Sequence, residues 1–193
     1  YFPVGVKDAS NTPGTLVFTC LSHDIVAHET THALLDGVHP RFNEPVNPDV
    51  LAFHEAFADI VALFQHFSYP GVLRDQIART RGNLAGENLL AQLAQQFGKA
   101  SGRGKALRDA LGAVNPATGE WEPHKPDVRA LDRTPEPHAR GAVLVAAVFG
   151  AFLKVYRART ADLYRIASEG TGVLREGDIH PDLSNRLAAE AAR

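Results

Sequence analysis

Cysteine is almost missing from this chain. Cys20 stands alone, which excludes an intramolecular disulfide and any paired-cysteine zinc motif. No spacing fixes a histidine beside it, so it is expected to be a small buried packing residue and not a nucleophile. An excess of positive charge is lacking too. Twenty Lys and Arg stand against 22 Asp and Glu, a net charge of -2, and no basic run is interleaved with aromatics. That balance argues against nucleic acid and against an anionic membrane surface as partners. No apolar run reads as long enough for membrane insertion, and no signal-peptide pattern opens the chain. Methionine does not occur and the first residue is Tyr1, so the chain is expected to be part of a longer polypeptide. Composition is silent on compartment.

What the chain does have is apolar content divided by Gly and Pro. With 193 residues and 45% hydrophobic side chains it can bury a substantial core in a single domain. Helices are predicted over residues 72–79, 84–97, 104–111 and 138–159, the last with a nearly continuous apolar middle over 142–153 that marks a buried core helix. Two more short amphipathic helices are predicted within 161–193. Residues 115–137, rich in proline and bearing Trp121 and His124, read as a long irregular connection. Strands are expected within 1–6 and 15–19, with turn chemistry at Asn11-Thr12-Pro13-Gly14 between them.

Two segments carry the chemistry. His28-Glu29-Thr30-Thr31-His32 is followed, 23 residues after His32, by Glu55 in His54-Glu55-Ala56-Phe57-Ala58-Asp59. On a helix, positions four apart differ by about 40° in azimuth, so His28 and His32 project from one face and can share a metal ion. Glu29 lies about 100° round the axis from His28, where a carboxylate reaches the attacking water without ligating the metal. That is the place of a general base. Catalytic zinc needs a third protein ligand and an open fourth position, and Glu55 is the best candidate for the ligand. Val50, Leu51, Phe53, Ala56, Phe57, Ile60, Val61 and Phe64 recur near the 3.6-residue period, so the second segment also reads as a helix, burying that face. Asp59 then stands one turn from Glu55 and can accept the remaining ring N–H of a zinc histidine. A pair of satisfied core histidines is the plain reading of the first motif alone; the correctly spaced Glu and Asp argue against it.

His-Glu-x-x-His followed by Glu-Ala-x-x-Asp resembles the thermolysin-like gluzincin metallopeptidases. The match extends back through Ser22-His23-Asp24-Ile25-Val26-Ala27 and covers roughly residues 16–60. The resemblance implies a mainly α fold, a thermolysin-like helical catalytic core with a short β-rich N-terminal segment. It implies Zn2+ held by His28, His32 and Glu55, with Glu29 as the base and Asp59 orienting a histidine, most plausibly His28. A peptide or protein substrate follows from it, and it alone suggests secretion. In such enzymes a β-rich lobe precedes the zinc helix and holds the substrate on an edge strand. Only 27 residues precede His28 here, so most of that lobe is expected to be missing. Residues 1–20 would be its remnant, 21–68 the zinc-site helices and 69–193 a helical lobe of one domain.

Thermolysin-like enzymes also direct a later histidine and a tyrosine at the oxyanion. His138, behind Pro137 at the start of a long apolar helix, is the candidate histidine, with Asp132 or Glu136 as the anion that keeps it charged. No tyrosine occurs between Tyr1 and Tyr69, so its role would pass to His39, Arg41, His54 or nothing. Arg108 is the candidate substrate-binding arginine, with Arg133 and Arg140 as competitors. The family commonly has Asn where this chain has His54. Asp24 falls where many such enzymes place a calcium ligand, but no carboxylate cluster follows the second helix, and no calcium site is predicted. Asp24 is assigned instead to a helix N-terminal charge or a hydrogen bond behind the zinc histidines. The reading is a zinc-dependent endopeptidase core; the alternative is a non-catalytic zinc-binding module or an inactive fragment of a metallopeptidase.

Overall fold

The computed structural model describes residues 2–3, 16–84, 111–118 and 121–193. Most of these form helices: α1 (His23–Val38), α2 (Pro48–Gln65), α3 (Pro70–Thr80), α4 (Pro137–Ala167) and α5 (Pro181–Ala191). Two small antiparallel pairs accompany them, β1 (Phe2–Pro3) with β2 (Leu16–Val17) and β3 (Gly112–Val114) with β4 (Trp121–Pro123). The chain is thus mainly α. The strands expected within 1–6 and 15–19 are represented by two-residue pairs, and the helices predicted over 84–97 and 104–111 fall, apart from Leu84 and Leu111, outside the described residues.

Local chemistry starts the helices where the sequence has its prolines. Asn47 accepts hydrogen bonds from Asp49 N and Val50 N at 2.8 and 3.2 Å, with Pro48 at the first position of α2. Glu136 does the same for α4, accepting from Ala139 N at 2.7 Å ahead of Pro137. At the end of α3, Arg81 turns left-handed and Gly82 follows at φ +76°, its N–H closing back onto Ile77 O. A Cβ on Gly82 would lie 2.0 Å from the Tyr164 hydroxyl, so the turn needs glycine for space as well as for φ. Two predicted boundaries are corrected. α4 runs eight residues past Arg159, because no glycine or proline interrupts the chain before Gly170, and α5 is the helix that follows it among the described residues. The connection expected to be irregular over 115–137 contains β4 and a 3-10 turn over Val128–Arg133.

α2 is the middle layer, packed against α1 on one side and α4 on the other. Its most buried residues are Ala52, His54, Ala56, Ala58, Asp59, Ala62 and Leu63, whereas Phe53 and Phe57 are partly exposed. This corrects the apolar face expected from periodicity. A helix sandwiched at close range buries small side chains and moves its large ones to the rim. The closest approach is at Gly141 of α4, where a Cβ would stand 2.6 Å from Ala52 O. α4 therefore rests on the backbone of α2, one turn after His138. Arg140 ties the same end down, donating to Asp49 Oδ1 at 2.6 Å and to the Leu131 carbonyl.

Beneath this contact lies one apolar cluster in which Leu63, Ile77, Leu111, Val145, Phe149 and Leu187 are almost wholly enclosed. Burial of each such side chain stabilises the fold by about 1.5–3 kcal/mol. The stretches Pro48–Ser68 and Pro137–Ala167 are, contrary to the sequence reading, long and apolar enough by composition to cross a membrane. Their apolar content has a use within the fold, since α2 and α4 pack on one another and share the core, and such core helices pass the same test of length and composition.

Candidate metal centre

α1 carries Asp24, His28, His32 and Asp36 at intervals of four, a polar line that winds by about 40° per step. α2 faces it with His54, Glu55 and Asp59, and His66 follows at the end of α2. The two helices run antiparallel, since Asp24 near the start of α1 meets His66 and Asp36 near its end meets His54.

Between these contacts the ligand candidates converge. His28 Nε2 and His32 Nε2 stand 2.9 Å apart, and Glu55 Oε2 lies 3.4 Å from the first and 3.5 Å from the second. Bonds of about 2.0–2.1 Å to zinc in a tetrahedron place ligand atoms about 3.3–3.4 Å apart; the two separations from Glu55 match that edge and the histidine pair is closer, so the trio is of a size to hold a metal ion. Glu55 Oε2 is buried against the rings of His28, His32 and His138, where a coordinated cation can take over the stabilisation that their protons supply.

The outer nitrogens of both rings are held from behind. His28 Nδ1 faces Asp59 Oδ1 at 2.9 Å, the pairing expected from sequence. His32 Nδ1 lies 2.6 Å from His54 Nδ1, and His54 Nε2 lies 3.2 Å from Asp36 Oδ1. Each ring is thereby turned so that Nε2 points into the triangle.

Burial is the largest influence on His28 and favours the neutral ring, but hydrogen bonds and charge from Asp59 and Glu55 outweigh it and raise the pKa to about 9. Burial is also the largest influence on His32; with the charges of His28 and His54 it outweighs the opposing charges of Glu55 and Glu29, and the ring is held below its ordinary pKa. Glu55 is pushed up by burial and more than pulled back by the hydrogen bond from His28 and the charges of His138, His32 and His28, so it sits below the usual carboxylate range. The centre is a mixed cluster in which protons stabilise what a cation also stabilises.

Glu29 is exposed on α1, and its charge is felt at His32. His138, partly buried in the first turn of α4, places Nδ1 3.1 Å from Glu55 Oε2. Its facing anion is therefore Glu55, where Asp132 or Glu136 was expected; the Glu136 carboxylate is used as the helix cap. Asp24 is buried and bonds His66, so it does not back either histidine of the triangle. With His23 it forms a second trio of ligand-type side chains, in which His23 Nε2 meets the Tyr69 hydroxyl at 2.9 Å.

Several other expectations change. His54 has both ring nitrogens engaged behind His32, which removes it as a stand-in for the tyrosine. Arg41 is exposed beside Glu44, and His39 is exposed at the end of α1. Arg108 lies outside the described residues; Arg140 is a structural clamp and Arg133 is exposed near Asp127. Cys20 is exposed rather than buried, because it sits in a surface 3-10 turn leading into α1. Asp36 was overlooked in the sequence, although its place four residues after His32 continues the polar line and was the available signal. His66 carried no such signal, since its contact is made across two helices.

No protein-family model, curated protein or solved structure matches this chain.

Proposed function

We propose that this chain is the catalytic core of a zinc-dependent peptidase of the thermolysin-like kind, with Glu29 as its general base. The observation that carries this reading is the convergence of His28 Nε2, His32 Nε2 and Glu55 Oε2 from two neighbouring helices. Zinc held by these three would supply a Lewis acid that polarises a substrate carbonyl and lowers the pKa of water toward about 7.

The chain's own side chains do the rest. The Glu29 carboxylate takes a proton from the attacking water and delivers it to the departing amine nitrogen. As an imidazolium, with Nδ1–H turned to Glu55, His138 would donate its Nε2–H to the developing oxyanion. Asp59 keeps His28 in the tautomer that presents Nε2. A peptide or protein is the substrate.

The test incubates the purified chain with a broad peptide library, with zinc or with chelator, beside Glu29→Gln. Cleavage should require zinc and fall about 10²–10⁴-fold in Glu29→Gln, whose zinc content should be unchanged. An active Glu29→Gln variant would reject the base. Running a chain extended upstream in parallel reads the contribution of a preceding lobe.

A second reading, a zinc site that only stabilises the fold, is favoured by the closeness of His138 to Glu55, because a fourth protein ligand closes a structural site. His138→Ala separates the two. Lost zinc affinity supports the structural site, whereas retained zinc with a lower kcat supports the peptidase.

A further inference from the structure

His32 is held differently from His28. Where His28 has a carboxylate directly behind it, His32 has another imidazole, and two neutral imidazoles can share a proton in either sense. The sense decides whether His32 presents a lone pair or a proton to a metal at Nε2. If His54 donates, His32 Nδ1 accepts and its proton sits on Nε2, inside the triangle. If His32 donates, Nε2 presents a lone pair.

The geometry gives the answer through Asp36. The carboxylate, 3.2 Å from His54 Nε2, can only accept, so His54 carries its proton on Nε2 and offers a bare Nδ1. The reverse arrangement would set a ring lone pair against a carboxylate. His32 must then hold its proton on Nδ1 and direct it at His54. The contact has the form such a bond requires. The ring planes differ by 16° and the centroids are 4.8 Å apart while the two Nδ1 atoms stand at 2.6 Å, so the rings meet edge to edge, nearly coplanar, and not face to face. His54 is 6% exposed, which shields the bond from water, while Asp36 reaches in from a half-exposed position.

We propose that His54, oriented by Asp36, is the positioning residue that fixes His32 as the tautomer competent to bind a metal through Nε2. The inference rests on the reading of His28, His32 and Glu55 as a metal centre, and extends it to two residues outside the triangle.

The test uses the full chain with 15N-labelled histidine. In the metal-free protein, ring-nitrogen shifts should assign the His32 proton to Nδ1. His54→Phe keeps a flat ring and removes the acceptor; it should move proton population to His32 Nε2 and weaken zinc binding about 10–100-fold in a competition titration. His54→Gln, which restores an acceptor oxygen, should recover most of that affinity. Asp36→Ala, at a site exposed enough to leave folding intact, should shift the His32 tautomer the same way by a smaller amount, and it carries the test if His54→Phe does not fold. A His32 proton found on Nε2 in the wild-type chain overturns the proposal, as does a wild-type tautomer with unchanged zinc affinity in His54→Phe, or an unchanged tautomer in Asp36→Ala. If the wild-type chain takes up no zinc, the peptidase reading fails on that result alone, and the tautomer measurement still decides this one.

Discussion

Two clusters of the same residue types lie on the same pair of helices, and they are arranged in opposite ways. At one end, Asp24 and His66 bond each other while His23 is taken by Tyr69. In the middle, the backs of His28 and His32 are held by Asp59 and His54, and their inner nitrogens are turned toward one another and toward Glu55. The first arrangement satisfies its polar atoms in pairs within the protein, whereas the second turns three ligand-type atoms toward one point, with Glu55 Oε2 shared among several imidazoles. A set of metal-ligand residue types becomes a metal site only when other groups hold the far side of each ring.

The comparison breaks first on metal content. His28→Ala or Glu55→Ala should abolish zinc binding, while His23→Ala should leave one zinc ion per chain; elemental analysis after dialysis reads both, and zinc lost in His23→Ala would reverse the assignment of the clusters. The second effect is on pH. His28 is raised to about 9 by its carboxylates, so in the metal-free protein that pairing stabilises fully below its ordinary 6.5 and is lost as pH rises through 9. Zinc needs the deprotonated ring, so its affinity should climb about tenfold per pH unit between 7 and 9 as one proton is displaced. Titrations at three pH values, beside thermal melts of the metal-free chain, should therefore run in opposite directions. A flat zinc affinity would remove His28 as the competing proton site.

A smaller effect separates the structural cluster. His66→Ala leaves Asp24 buried without its partner and should cost about 3 kcal/mol in chemical denaturation while zinc stoichiometry holds. Smallest of these is Gly141→Ala, which forces α4 away from Ala52 O and should cost about 1–3 kcal/mol. Its value lies in the split it predicts, with zinc affinity kept and kcat lowered as His138 moves off Glu55. Equal loss of both would mean that His138 helps to hold the metal.

The convergence of His28, His32 and Glu55 was legible because it is nearly all helical arithmetic. His28 with His32, and Glu55 with Asp59, are each one turn apart on segments that read as helices, the second of them opened by Asn47 and Pro48, so only the meeting of two helices had to be supplied by the fold. The residues that had to find partners across elements were not legible. His138 meets Glu55 from 83 positions away, Asp24 meets His66 across 42, and nothing periodic links either pair. The apolar face of α2 misled for a related reason. Periodicity records which positions share a side, but the distance to the neighbouring helix decides whether alanine or phenylalanine fits there, and Gly141 had set that distance close. Asp36 sits between these cases, visible as a continuation of the α1 line yet given a role only by His54.

The seating of Gly141 on a peptide carbonyl has one more consequence. A helix positioned by side chains shifts whenever those side chains are exchanged, but one that rests on main chain keeps its height whatever decorates its flanks. The register of His138 over Glu55 is thereby insulated from drift elsewhere along α4. Many outward positions of that long helix can change freely, while a single added methyl group at residue 141 disturbs the alignment.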